Sequence, residues 1–352
     1  MSATQAVQDP HPKARNYGAY QSEIYAHGMF NNILPTVTTD PNKLEEQAKK
    51  NLGSRSYNYV AGGAGERATM DANRLAFRQW KMVPRMLRQT THRDLRVELF
   101  GQTYDSPLLV APVGVQQIFH EDKETGVAEI AADLGVPYIL STASSASIED
   151  GIGDQTGFSD PVFRRKFADK HGKEVEEDVQ GAALEWQKDV FSGAAHTWDQ
   201  LELLKKNWAG PIVLKGIQHP DDALKAVEAG VDGIICSNHG GRQLDGAVGS
   251  LEMLPEIVEA VGDKVTVLFD SGVRTGVDVI KALCLGAKAV LIGRPWVYGL
   301  AIAGKQGAKD ALKGILADLD QSMGLSGIRT VADCDRSMIR RCQYPGDRHS
   351  SN

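Results

Sequence analysis

VTVLFDSGVRTGVDVIKALCLGAKAVLIGRP, residues 265–295, decides the fold. Two short, almost wholly apolar runs, VTVLFDSG (265–272) and AVLIGRP (289–295), flank the helical stretch TGVDVIKALCLGA. Runs this short and this apolar suit parallel strands covered on both faces. Working outward, the same signature recurs in DGIICSNHG (232–240), PIVLKGI (211–217), PYILST (137–142) and PLLVAPVGV (107–115). Helical segments such as DDALKAVEAG and LEMLPEIVEAVG lie between most of them, at strand intervals of roughly 22 to 32 residues. Strand, helix, strand at that spacing predicts repeated βαβ units. The rhythm fails once: about seventy residues separate PYILST from PIVLKGI, and 151–208 is charged and helical with no comparable strand. Six strands are therefore expected, in an α/β fold of the TIM-type (β/α)8 barrel class that lacks strands 3 and 4.

Upstream, the first forty residues read as an arm. Asp40 and Pro41 read as the N-cap and first turn of a helix, and HRDLRVELFGQTYDSP as a hairpin. The expected division is 1–105 for arm, helices and hairpin and 106–345 for the barrel, with a long active-site segment at 151–208, all in one catalytic domain.

The 352 residues are 42% hydrophobic and 24% charged, enough for a sizeable core, and the formal net charge of −6 argues against a nucleic-acid or anionic-membrane surface. No apolar run approaches the ~20 residues of a membrane span. The start lacks the apolar core of a secretion signal, the end is not a peroxisomal tripeptide, and four cysteines without CxxC spacing suit a reducing compartment, so a cytoplasmic protein is expected. No metal-ligand cluster is evident, and HPDDA (219–223) reads as a turn and helix cap. EVEEDVQ reads as a solvated helix face.

The chemistry-bearing residues fall at the C-terminal ends of the expected strands: Lys215, then His239, then Asp270, Gly272 and Arg274, then Gly293 and Arg294. In a (β/α)8 barrel that end holds the active site, and the last two loops often bind phosphate. Glycines let backbone amides approach an anion, and arginines add paired donors. Each residue alone has a bland reading: a solvated lysine, a turn, a hydrogen-bonded histidine, a packed tyrosine. On successive strands at one face, they favour a site.

LKGI, SNHGGRQLDG and the whole of 269–295 resemble the FMN-dependent 2-hydroxy acid dehydrogenase/oxidase family, which includes glycolate oxidase and lactate oxidase. The likeness extends through SYNYVAGGAGERATMDANRLAFRQW, APVGV and STASSASIED and covers most of 15–330. GFSDPVFRRKF and LKGIQHPDDA bring it nearest to the lactate 2-monooxygenase branch, in which fungal secondary-metabolite oxidases such as that of the fusaric acid pathway are found. The resemblance implies FMN as cofactor, a small carboxylate-bearing substrate, dioxygen as acceptor and a homotetramer. It implies that His239 is the base, that Arg242 and Tyr59 hold the substrate carboxylate, and that Lys215 sits beside flavin N1. Pro112, Val113, Gly114 and Ser141 would line the isoalloxazine, with Ser237 also against the cofactor. Asp270 would bind the ribityl chain, and Gly272, Arg274, Gly293 and Arg294 the phosphate.

Against that family, about fifty residues are missing between Asp150 and Gly151. Relatives draw from them two flavin contacts, two substrate contacts and an aspartate that pairs with the histidine; Asp154 and Asp160 lie near the junction. Trp186, Phe191 and Trp198 fall in the segment that covers the site mouth in relatives. The expected activity is FMN-dependent oxidation of a 2-hydroxy acid. A tailoring oxidase of a carboxylate-bearing secondary metabolite and an inactive flavin-binding or structural barrel are the alternatives. A type 2 isopentenyl diphosphate isomerase fits the His-Gly-Gly-Arg spacing poorly.

Overall fold

A computed structural model of the chain describes residues 14–145, 161–190, 193 and 195–342. Four helices come first: α1 Ala19–Asn31, α2 Leu44–Asn51, α3 Ser54–Ala61 and α4 Ala68–Gln79. Asp40 caps the turn before α2 rather than the helix itself, since its carboxylate accepts from the Asn42 amide at 2.9 Å and α2 starts at Leu44. Short strands β1 Trp80–Met82, β2 Val97–Leu99 and β3 Gln102–Tyr104 follow. The expected hairpin is β2–β3, turned by Phe100 and Gly101 with φ of 52° and 78°, the left-handed pair that a tight two-residue loop requires.

The barrel strands are β4 Leu108–Val110, β5 Val213–Ile217, β6 Gly233–Cys236, β7 Thr266–Phe269 and β8 Ala289–Ile292. All pair in parallel, in the order β4-β8-β7-β6-β5. The sixth expected run, 137–142, reaches the sheet through the parallel bridge of Tyr138 with Val110. Between them run α5 Lys123–Leu134, α6 Pro161–His171, α7 Val179–Val190, α8 Leu201–Asn207, α9 Pro220–Glu228, α10 Ser250–Val261 and α11 Gly276–Cys284. The long α12 Arg294–Ser326 and the short β9 Ile339–Arg341, paired with β1, complete the chain. Among the described residues the sheet does not close: β5 and Tyr138 are its two edges. The Asp150–Gly151 junction, Asp154, Asp160 and Phe191 lie outside the described residues.

Side chains alternate across each strand with period two. Leu108, Val110, Ile234, Cys236, Val267, Phe269, Val290 and Ile292 pack outward into the main core beneath the helices. Leu109, Ile235, Leu268, Ala289 and Leu291 point inward to a second core, against which Leu99, Phe100 and Tyr104 of the hairpin pack. The hairpin therefore plugs one end of the barrel and leaves the other end for chemistry.

The segment α6–α7 carries its own small core of Phe163, Phe167, Val175 and Ala182, with Trp186 edge-on to Phe163 at 5.1 Å between centroids. EVEEDVQ is the turn joining these helices rather than a helix face: Val175 is buried and Glu176 accepts from Arg164 at 2.6 Å. Trp198 packs on the main core. His219 caps α9, its ring nitrogen accepting from the Asp221 amide at 3.1 Å, with Pro220 at the first position. No group of three or more potential metal ligands occurs among the described residues, nor any helix long and apolar enough to cross a membrane.

Candidate active site

The inward positions change character at the C-terminal end of the strands. Two residues beyond Val213, Ile235, Leu268 and Leu291 come Lys215, Ser237, Asp270 and Gly293. A polar layer thus caps the apolar interior, as strand alternation requires. A bulge at Gly216, φ 105°, breaks the β5–β6 register just after Lys215, and bulges at barrel rims commonly re-aim a side chain. Lys215 Nζ lies 2.9 Å from Asp270 Oδ2 and donates to Ser237 Oγ at 3.0 Å. Ser237 Oγ also accepts from the His239 amide at 3.1 Å. Four of the expected residues therefore form one connected cluster.

His239, Gly240 and Gly241 make a single turn in which all three have positive φ, 57°, 65° and 72°. Glycine adopts this region freely, but for histidine it costs about 1–2 kcal/mol. The turn is held from three sides. Ser271 Oγ accepts from the Gly240 amide at 3.0 Å and donates to Asp270 at 2.7 Å. Asn238 Oδ1 accepts from the Gly241 amide at 3.0 Å. Asn73 of α4 meets Asn238 in a buried amide pair. His239 is exposed and follows β6 at its C-terminal end. Desolvation by its surroundings, then the Lys215 charge, hold its pKa below the ordinary histidine value, with Asp270 opposing.

On the other side of the turn, the Arg242 guanidinium lies over the Tyr59 ring at 4.9 Å and donates to the Gly62 carbonyl at 3.0 Å. The half-exposed Tyr59 sits on α3 and is 6.2 Å from the Phe119 ring. Arg294 reaches the same loop, donating to Val60 O at 2.9 Å, Gly62 O at 2.7 Å and Gly240 O at 3.1 Å. Burial and the nearby Arg274 guanidinium push Arg294 down to about 10, so it stays a cation near neutral pH. Gly272, Arg274, Thr275 and Arg294 line a cavity of about 410 Å³ together with Arg67, Arg74, Glu45 and Asp71. Arg74 is spoken for, pairing with Asp278 at 2.8 Å and donating to the Gly272 carbonyl.

Pro112, Val113 and Gly114 follow β4, and Gly114 packs against the 141–145 segment: an added Cβ would meet the Ala143 carbonyl at 2.5 Å. Ser141 caps that segment, accepting from the Ala143 amide at 3.2 Å. A Cβ on Gly293 would meet only Val113, at 4.0 Å, so the floor between the two loops is open. Gly293 leaves space beside Val113, and Arg274 and Arg294 offer cationic donors to an anion at the cavity they line. The donor set fits FMN.

Asn73, Asn238 and Ser271 were not legible as site residues from spacing alone. The signal for Asn73 is an amide on the buried stripe Thr69, Met70, Asn73, Ala76 and Phe77 of α4, where an apolar side chain is the default.

The model of the FMN-dependent dehydrogenase family matches residues 48–158 and 155–341, in two pieces that overlap at 155–158. The FMN-dependent alpha-hydroxy acid dehydrogenase qulF of Penicillium citrinum is 53% identical over 395 residues, covering 94% of this chain and 98% of its own. An L-lactate oxidase of Lysinibacillus sphaericus is 35% identical, covering 82% and 89%. The crystal structure of mandelate oxidase with (S)-4-hydroxymandelic acid superposes with a TM-score of 0.72 at 33% identity, covering 86% and 98%. Since 94% of 352 residues is about 331, some sixty positions of the 395-residue qulF alignment face no residue of this chain.

Proposed function

This chain belongs to the FMN-dependent dehydrogenase family, and from that premise we propose that it oxidises a small 2-hydroxy acid to the 2-oxo acid, with His239 as base and dioxygen as the final acceptor. The observation that carries the reading is the position of His239. The charges of Lys215, Asp270, Arg242 and Arg294 all act on its ring, and Arg242 stacks on Tyr59 while Lys215 pairs with Asp270. FMN, which the family binds, supplies the two-electron acceptor.

The chain's own residues do the rest. Arg242 presents a planar guanidinium suited to a carboxylate, and its stack on Tyr59 keeps that plane oriented while the Tyr59 hydroxyl adds a donor. His239 takes the hydroxyl proton, and a lowered pKa keeps it neutral and ready to do so near pH 7. Lys215 fixes a positive charge beside the reacting centre, and Asp270 holds the ammonium in place at 2.9 Å. Gly272, Arg274, Gly293 and Arg294 would hold the phosphate, while Pro112, Val113, Gly114 and Ser141 would bound the ring. The site needs no metal, nucleic acid or membrane, and the chain works as a homo-oligomer in the cytoplasm.

The test is an absorption spectrum of the purified protein before and after anaerobic addition of L-lactate, glycolate or (S)-mandelate. Flavin bands that bleach with one of them support the reading. Bands that persist with every 2-hydroxy acid refute it. Arg274→Leu removes a charge-assisted contact of about 1.5–3 kcal/mol, so its FMN dissociation constant is expected to rise by about 10- to 150-fold in a fluorescence titration.

A further inference from the structure

We propose that Asn73, on helix α4 ahead of the barrel, is the positioning residue for His239, acting through a reciprocal amide pair with Asn238. The inference rests on the base assignment above and adds a residue outside the barrel to it.

Asn73 is 2% and Asn238 8% exposed. Asn73 Nδ2 donates to Asn238 Oδ1 at 2.9 Å, and Asn238 Nδ2 donates to Asn73 Oδ1 at 2.7 Å. The remaining capacity is directed at the His239 loop and its return. Asn238 Oδ1 accepts the Gly241 amide at 3.0 Å, Asn238 Nδ2 donates to Val248 O at 3.2 Å, and Asn73 Oδ1 accepts the Ser250 amide at 3.1 Å. Both donors and both acceptor positions of Asn238 are used, so a buried amide here has one fully satisfied arrangement.

That arrangement decides the backbone. The three positive-φ residues sit directly after Asn238, and its Oδ1 reaches over them to Gly241 and closes the turn. Without a partner at Asn73, the Asn238 amide loses one bond on each edge and is oriented only by the Gly241 amide and the Val248 carbonyl. The strain at His239 then favours relaxation to an ordinary backbone region. The imidazole moves, and a displacement of about 1 Å at a reacting group costs about a hundredfold in rate. α4 meets the loop closely enough for this control: the Gly241 carbonyl accepts from the Ala64 amide at 2.9 Å, and a Cβ on Gly241 would meet the Met70 backbone nitrogen at 2.8 Å.

The experiment compares Asn73→Ala, His239→Gln and the double variant, with Asn73→Ser as a milder change should the alanine chain fail to fold. Two readouts are taken: turnover, and the pH titration of the His239 ring resonance in histidine-labelled protein, assigned by its loss in His239→Gln. In the folded parent, the groups facing the ring are Lys215, Asp270, Arg242 and Arg294. Asn73→Ala is expected to move the His239 titration up toward the ordinary value of about 6.5 and to lower kcat by about ten- to a hundredfold with KM within a few-fold. In the His239→Gln background it is expected to change turnover no further, because the two act as one unit. A lower melting temperature with unchanged titration and kcat, or additive losses in the double variant, would overturn the proposal. If His239→Gln turns over as fast as the parent, the base assignment falls instead, and the ring titration still decides the positioning.

Discussion

His239→Gln is expected to slow bleaching of the flavin bands by substrate by about 10²- to 10⁴-fold, the usual contribution of a positioned general base. Flavin content should be unchanged. The loop is held by backbone and neighbouring groups, the His239 amide to Ser237 Oγ and the Gly240 amide to Ser271 Oγ, none of which uses the imidazole. The parent's pH profile follows from the direction of the histidine shift. Catalysis needs the neutral ring, so kcat/KM rises as pH increases through its pKa and levels above it. Desolvation and Lys215 lower that pKa, with Asp270 opposing, so the acid limb should lie below the ordinary histidine value of about 6.5. In His239→Gln the limb should vanish. Stopped-flow reduction from pH 5 to 9 measures both. A variant that keeps the limb and the rate would assign the base elsewhere.

How much of this was legible in the sequence depends on whether a residue's role is local or shared. Five of the six apolar runs are strands of the parallel sheet and 137–142 supplies only the Tyr138 bridge; β6 and β8 are buried along their whole length, which leaves no polar alternation to misread. Lys215, Ser237, Asp270 and Gly293 stood out or could be reached because a strand's period of two carries the inward face beyond its last apolar residue. The hairpin was legible as a polar, hairpin-like segment, although the packing of Phe100 on the inward core was not, because it includes residues as distant as Gly233, Ile235 and Leu268. Asn73 was hidden for the same reason, since its partner is 165 residues on. The Asp40 cap and the α6–α7 turn were misplaced by a few residues, where local hydrogen bonding and one buried valine outweighed charge pattern. The left-handed turn at His239 had a partial signal in its two glycines, but nothing in the residue types says that the histidine shares their conformation.

Inserting after Asp150 the segment that relatives carry is expected to change stability, flavin binding and rate together. Among the described residues the sheet ends at β5 on one side and at the bridge to Tyr138 on the other. A barrel should leave neither edge, because each unpaired edge exposes strand backbone to water and to other chains. The family resemblance puts the third and fourth strands in that segment, together with an aspartate beside the histidine. Two paired edges should raise the melting temperature and reduce aggregation, and the added flavin contacts should tighten FMN binding. The aspartate makes a separable prediction with a definite sign. An anion beside the imidazole favours its charged form, so the His239 pKa should rise and the acid limb of kcat/KM should move to higher pH, while the rate above the limb increases. That increase is expected to be at least a hundredfold, as losing such a partner costs orders of magnitude elsewhere. Melting curves, flavin-to-protein ratios and pH profiles of the two chains, measured side by side, test each part. Equal melting temperatures and flavin content would mean that the present chain closes its sheet by other residues. An unmoved acid limb in a chain that melts higher would mean that the inserted strands complete the barrel without their aspartate reaching His239.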